Sequence, residues 1–246
     1  METFDGQIAV ISGATRGIGK AIAQAFLSAG AHVVGLYAGN EASANTFNDD
    51  NSQYSTKFEL IKCDISKENE VAKLFTFLEE KHHHIDILIN NAGIRRDSVL
   101  ALMDSNDWQQ VIDINLTGTY LMSKQAVLLM MKEKYGRIIN ITSPVAHLGF
   151  VGQANYAASK AGQVALTRTL AKETAKKKIT VNCVSPGFIA TDFINDLSKE
   201  QISSYKKLVP MRRFGTPEEI ADSVLFLSSH RAAYITGSVL EISGGL

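Results

Sequence analysis

Tyr156 and Lys160 stand four residues apart in NYAASKAG, residues 155–162. On a helix that spacing puts both side chains on one face, one turn apart. Ala157, Ala158 and Ala161 are small, so backbone or a ligand can approach the strip they share. A phenol beside an ammonium is either a surface accident or a proton donor with its pKa adjuster. An unperturbed phenol has a pKa of about 10, and a nearby positive charge favours the phenolate. The residues elsewhere in the chain must decide between the two readings.

A second constellation is SGATRGIG, residues 12–19, directly after the apolar run IAVI. Glycines at 13, 17 and 19 suit a tight turn, close approach of backbone to a pyrophosphate, and a helix N-terminus aimed at negative charge. The candidate cofactor residues of this turn are Ser12, Gly13, Thr15, Arg16, Gly17, Ile18 and Gly19. In NAD-binding folds an acidic residue about twenty positions on grips the ribose hydroxyls. Here that place holds Tyr37 and Ala38, with no acidic residue from 20 to 40. Arg16 can instead pair with a 2′-phosphate through its guanidinium. The pattern favours NADP(H).

Asp64, followed by Ile65, comes after FELIKC and could accept from an adenine amino group. NNAG at 90–93, with Asn91, Ala92 and Gly93, comes after IDILI and suits packing against a ribose. Each is equally readable as a helix cap or turn former.

The elements that must position these residues are short. Apolar runs occur at 8–11, 32–36, 58–61, 85–89, 137–141, 179–184 and 238–242. Several are apolar on consecutive positions, as in parallel strands covered on both faces. Helical patterns alternate with them; Ile18, Ala21, Ile22, Ala25, Phe26 and Ala29 share one face, and Gly30 is placed to end that helix. The expectation is an α/β fold: a single Rossmann-like domain over 1–246, with a doubly wound parallel sheet of about seven strands. Ligands bind such sheets beyond the carboxyl ends of their strands.

Lys plus Arg number 25 and Asp plus Glu 25, so bulk charge draws the chain neither to nucleic acid nor to membrane. No apolar run has the length of a membrane span, and METFDGQIAV lacks a signal-peptide pattern, which leaves the cytoplasm as the default. Cys63 and Cys183, each in a strand-like run, read as small core residues rather than a disulfide or metal pair. HHH at 82–84 is expected to be a solvated helix end, because consecutive histidines on a helix cannot face one ion. No metal site is expected. KKK at 176–178 reads as a helix C-terminal charge run, and Trp108 as helix packing.

SGATRGIG, NNAG, Asn115 in DINLTG, Ser143 thirteen residues before Tyr156, YAASK and PGFIATD at 186–192 together resemble the short-chain dehydrogenase/reductase family. The resemblance runs from about residue 6 to the C-terminus. GIRRDSV, GQANYAASKAG, RRFGTPEEIA and YITGSVLEISGG are similar to the 3-oxoacyl-[acyl-carrier-protein] reductases within it. It implies four catalytic residues. Tyr156 is the general acid, Lys160 adjusts it and holds the nicotinamide ribose, and Ser143 binds the substrate carbonyl together with Tyr156. Asn115 holds a water linking Lys160 to solvent. Pro186, Gly187, Ile189 and Thr191 seat the nicotinamide carboxamide.

The same resemblance implies reduction of a 3-oxoacyl group on acyl carrier protein, for fatty acid biosynthesis. Lys134 and Lys177 stand where the subgroup has carrier-docking arginines. Ser12 replaces the usual threonine, and Pro144 follows the proposed serine. A CoA thioester substrate, as in acetoacetyl-CoA reduction, is the nearest alternative; a short-chain alcohol or sugar dehydrogenase is another, and a non-catalytic nucleotide sensor a third. Residues 193–212 are the expected substrate lid. A homotetramer is implied, with 104–131, 154–178 and the C-terminal strand at its interfaces.

Overall fold

The computed structural model describes residues 3–191 and 198–246. Seven strands fall on the seven apolar runs: β1 Ile8–Ser12, β2 His32–Tyr37, β3 Phe58–Lys62, β4 Ile87–Asn90, β5 Gly136–Ile141, β6 Ile179–Pro186 and β7 Val239–Ile242. They form one parallel sheet in the order β3-β2-β1-β4-β5-β6-β7. The order reverses between β1 and β4. Crossovers leave these two strands in opposite directions, which opens a crevice above their carboxyl ends.

The helices among the described residues are α1 Gly17–Ser28, α2 Glu41–Asp50, α3 Glu68–His82, α4 Ser105–Ile112, α5 Gly118–Glu133, α6 Val145–Leu148, α7 Ala154–Thr174, α8 Lys199–Leu208 and α9 Pro217–Ser228. Strand residues alternate between two cores, as their period of two requires. Ala9, Ile11, Ile87, Ile89 and Ile139 pack with α1 and α9. Ile8, Val10, Leu88 and Ile138 pack with α3 and α5. Both faces are thus covered, which is why the runs are apolar throughout; each such side chain contributes about 1.5–3 kcal/mol on burial.

Gly30 has φ +94 and ends α1 as expected: its own N–H and that of Ala31 bond to the carbonyls of Leu27 and Phe26 at 3.1 and 3.0 Å. The helical pattern over 104–131 is divided by a π-helical turn, Asp113–Thr117, where the Gly118 N–H bonds to Asp113 five residues back. Such turns widen a helix locally and often sit at functional sites.

A row of buried polar groups crosses the sheet. Asn90 Nδ2 donates to Ser123 Oγ at 3.0 Å and to Asn140 Oδ1 at 2.8 Å. Asn140 Nδ2 donates to Thr167 Oγ1 at 2.7 Å, and the Cys183 thiol approaches that oxygen at 3.1 Å. Asn90, Asn140 and Cys183 are register partners on β4, β5 and β6.

The three histidines at 82–84 do not all face solvent as expected. His83 is exposed at the left-handed end of α3. His82 turns inward, its ring 4.9 Å from that of His32, and both reach Glu59, at 3.0 and 2.8 Å. Their ligand atoms lie close enough together to hold a metal ion. Lys81 reaches the other Glu59 oxygen at 2.6 Å, an ion pair beside the two rings. No helix among the described residues is long and apolar enough to cross a membrane.

Candidate active site

Gly13 and Gly17 have φ +66 and +52, a backbone that other residues rarely adopt. Gly19 is required for space: a Cβ there would lie 2.0 Å from the Gly13 carbonyl oxygen. The turn is pinned to the next strand end through Ser12, whose hydroxyl accepts from the N–H groups of Asn91 and Ala92 at 3.0 and 3.1 Å. Asn91 Nδ2 returns the contact, donating to the carbonyls of Ser12 and Gly13. Arg16 caps α1 with no side-chain hydrogen bond, and the first turn of α1 carries no acidic residue. This N-terminus therefore presents unshielded N–H dipoles above the crevice, a fit for a dinucleotide's phosphates.

At the end of β2 the Tyr37 hydroxyl donates to Glu41 Oε2 at 3.0 Å, and Lys62 reaches Glu41 Oε1 at 2.7 Å. The Lys62 hydrogen bond is the main cause that holds the Glu41 carboxyl below its usual range. An acid thus does stand near the expected ribose position, already matched by a cation. It escaped notice because Glu41 lies on α2 and Lys62 one strand away. Arg16 is exposed, and its side chain makes no hydrogen bond or ion pair among the described residues. Asp64 Oδ1 accepts from the N–H and hydroxyl of Ser66 at 3.0 and 2.7 Å, a local turn. Ile65 is buried against Gly118.

β5 delivers the second half of the site. Ser143 lies two residues beyond its end, and Pro144 starts α6, the Val145 N–H reaching Ser143 Oγ at 3.4 Å. Ser143 lies beside the Tyr156 phenol, which α7 carries in its first turn. Lys160 Nζ lies over the Tyr156 ring, 5.6 Å from its centroid, and donates to the Ile141 carbonyl at 2.7 Å. Burial is the largest influence on both groups. It pushes the phenol up, against the pull of Arg95 and Ser143, and pushes the ammonium down to about 8. The protein's own groups therefore leave the phenol high, whereas the sequence pointed to a phenol lowered by Lys160 together with a positive nicotinamide.

Asn115 sits in the π-helical turn and is buried. Its side chain exchanges hydrogen bonds with both backbone groups of Ile94, at 2.9 and 3.0 Å. Its carbonyl accepts from Thr119 Oγ1 and Gln163 Nε2, both at 2.7 Å. Gly93 packs between Asn115 and Lys160; a Cβ there would come within 3.3 Å of Asn115 Oδ1.

Arg95 and Asp97, both within GIRRDSV, form an ion pair at 2.9 Å whose charges bear on Tyr156. Gln153 reaches Asp97 at 3.1 Å and Asn155 holds the Arg96 carbonyl at 2.9 Å, so the 94–97 loop is strapped to the start of α7. With the Asn115 bonds to Ile94, these long-range contacts give the loop its place.

Beyond β6, Gly187 lies so close to Ser243 that a Cβ would sit 2.8 Å from its Cα. Ile189 bridges Gly215, and Thr191 approaches Gly17, where a Cβ would be 3.4 Å from Thr191 Cγ2. The segment from Pro186 to Thr191 thus faces the glycine turn across the crevice. Of the expected lid, 193–197 lie outside the described residues; α8 beyond them packs Tyr205 on Phe188, centroids 5.0 Å apart. Lys134 and Lys177 fall elsewhere: they precede β5 and β6 and so lie at the opposite ends of the strands.

A family model described as "Enoyl-(Acyl carrier protein) reductase" matches residues 13–246. Among curated proteins, the chain is 42% identical over 243 residues to a 3-oxoacyl-[acyl-carrier-protein] reductase of Aquifex aeolicus, covering 99% of this chain and 98% of the relative. It is 43% identical over 247 residues to the protein of that name in Synechocystis, covering 100% and 99%. The Escherichia coli protein of that name is 40% identical over 243 residues, covering 99% and 98%. A crystal structure of a provisionally assigned gluconate dehydrogenase from Agrobacterium tumefaciens superposes with a TM-score of 0.94 at 31% identity, over 99% of this chain and 96% of that one.

Proposed function

The chain belongs to the short-chain dehydrogenase/reductase family, and from that premise we propose that it reduces 3-oxoacyl groups on acyl carrier protein to 3-hydroxyacyl groups with NADPH, in fatty acid biosynthesis. The observation that carries the reading is the meeting of Ser143, Tyr156 and Lys160 at the carboxyl end of β5, across the crevice from the glycine turn.

NADPH, when bound, supplies the hydride. The residues suited to hold it are Ser12, Gly13, Thr15, Arg16, Gly17, Ile18 and Gly19 at its phosphates, Tyr37, Ala38, Asp64 and Ile65 on the adenosine side, Asn91, Ala92 and Gly93 at a ribose, and Pro186, Gly187, Ile189 and Thr191 at the nicotinamide. Ser143 Oγ donates to the substrate carbonyl oxygen and stabilises the charge that gathers there. Tyr156 transfers its phenolic proton to that oxygen. Lys160 stabilises the phenolate left behind and holds the nicotinamide ribose. The side chain of Asn115 locks the 94–97 loop, and its carbonyl anchors the group behind Lys160.

The protein acts as one cytoplasmic domain over 1–246, with 193–212 as its lid, in a homotetramer. Trp108, Tyr120, Leu128 and Met131 leave apolar area exposed on α4 and α5, and Leu240 does so on the edge strand β7, which supports self-association. Docking of carrier protein at Lys134 and Lys177 would serve the site of another subunit, because on one subunit these lysines lie at the far ends of the strands. NADPH turnover compared across acetoacetyl-carrier protein, acetoacetyl-CoA and simple ketones tests the reading. A preference for the carrier thioester is expected; preference for the CoA thioester, or for a sugar or simple alcohol, overturns the substrate assignment.

A further inference from the structure

Gln163 follows Lys160 by three residues on α7, so the two share a helix face. It is fully buried, at 0% exposure. Its amide has one workable orientation. Nε2 donates to the Asn115 carbonyl and to Thr119 Oγ1, each at 2.7 Å, which leaves Oε1 toward Lys160 Nζ at 3.1 Å. Flipping the amide would set N–H groups against an ammonium and an oxygen against two oxygens. With Ile141 accepting at 2.7 Å, two of the three Lys160 N–H bonds are fixed. Thr119 Oγ1 and Gln163 together fill both lone pairs of the Asn115 carbonyl.

We propose that Gln163 is a positioning residue for the reduction: its side-chain oxygen holds Lys160 as an ammonium against Tyr156, and its amide nitrogen, anchored on the Asn115 carbonyl and Thr119, fixes that oxygen in place. The proposal rests on the roles given above to Tyr156 and Lys160.

The physical case is the cost of a buried charge. Burial drives Lys160 toward its neutral form, with the Cys183 thiol opposing it, and hydrogen bonds from Nζ to oxygen acceptors favour the charged form. The titratable groups facing it are Tyr156, on the same helix, and Cys183 on β6, whose thiol burial pushes up to about 11 and so keeps neutral. No carboxylate among the described residues touches Nζ, and the oxygens that accept from it are those of Ile141 and Gln163.

Two substitutions pull in opposite directions. Gln163→Leu deletes an acceptor on a charged group, which lowers the Lys160 pKa by about one to two units. Gln163→Glu places a carboxylate there and raises it. A purely structural role would damage both variants in the same sense.

The test is an NMR titration of the Lys160 side chain in the cofactor-free protein, assigned with Lys160→Arg, alongside the pH dependence of kcat/KM for acetoacetyl-CoA. The expected result is a lower Lys160 pKa in Gln163→Leu, a higher one in Gln163→Glu, and a basic limb of the rate profile that follows each. For Gln163→Leu, kcat should fall while KM stays near wild type. Unchanged titration, or shifts of one sign in both variants, overturns the proposal. So does a rate profile that ignores a shifted titration; that outcome would also remove Lys160 from its assigned role. If wild type is inactive on acetoacetyl-CoA, the rate arm is run on acetoacetyl-carrier protein; inactivity on both fails the substrate reading, and the NMR arm still decides this proposal. Should Gln163→Leu not fold, Gln163→Met removes the same polar atoms on an unbranched chain.

Discussion

Lys160 Nζ lies 5.6 Å from the centroid of the Tyr156 ring, over its face, while its hydrogen bonds run away from the ring to Ile141 and Gln163. Neither of these two bonds engages the phenol, whose proton stays free for substrate, and the charges that bear on it are those of Arg95 and Asp97. Tyr156→Phe removes that proton and keeps the ring. Reduction should fall by about two to four orders of magnitude, the range for a general acid, with the NADPH dissociation constant nearly unchanged. Near-normal turnover in a folded Tyr156→Phe protein would remove the residue from the mechanism. Lys160→Ala should in addition weaken NADPH binding, because its ammonium also serves the ribose.

The pH dependence has a definite sign. Burial lowers the Lys160 pKa from 10.5 to about 8, so the side chain is an ammonium below that pH and neutral above it. A reaction needing the ammonium loses kcat/KM as pH rises through about 8. Linkage gives a second observable. Between about 8 and 10.5 the unfolded chain binds a proton that the folded chain has released, so the Lys160 contribution to stability rises with pH there. Rate profiles and denaturant titrations over this window check both; a rate flat to pH 10 contradicts the first.

On the proposed reading Arg16 carries the choice of cofactor. Among the described residues it is a cation without an ion-pair partner at the α1 N-terminus, while the nearby Glu41 is matched by Lys62. Loss of one charge-assisted contact costs about 1.5–3 kcal/mol, or roughly ten- to a hundredfold in affinity. Arg16→Ala should weaken NADPH by that factor and leave NADH nearly alone. Lys62→Met should lower NADPH affinity too, by freeing the Glu41 charge. Dissociation constants for both nucleotides decide it; equal weakening of the two would refute a phosphate role for Arg16.

Changing Lys134 and Lys177 together to Glu tests the carrier. Surface charge mainly sets association rate and is screened by salt. KM should rise for acidic carrier-protein substrates, less so at high salt, and stay unchanged for a small ketone. Equal loss on both substrates would indicate damage to the fold, and no loss on either would favour the CoA thioester.

The strands and the glycine turn were legible because their signals are local. Seven apolar runs became seven strands, since a parallel sheet covered on both faces demands apolar residues at consecutive positions. Gly13, Gly17 and Gly19 were legible because backbone conformation and space leave few alternatives. Glu41, Lys62, Arg95 and Gln163 were not. Their importance comes from pairing across strands or between helices; the spacing of Lys160 and Gln163 puts both on one face but does not show that Asn115 and Thr119 fix the amide. His82 reads as surface for the same reason: its partners, His32 and Glu59, lie on two other elements.

The polar row through Ser123, Asn90, Asn140, Thr167 and Cys183 bears on how the sheet finds its alignment. β4 and β5 are buried on both faces, so hydrophobicity alone hardly distinguishes one pairing from its slipped neighbours. The Asn90–Asn140 bond exists in a single alignment. Sliding β5 by two residues would keep every side chain on its own face yet strand buried amides, at about 1–3 kcal/mol for each unsatisfied group. The amides thus work as a vernier on the sheet, and the strand ends that hold Asn91, Ser143 and Pro186 inherit their common level from that alignment.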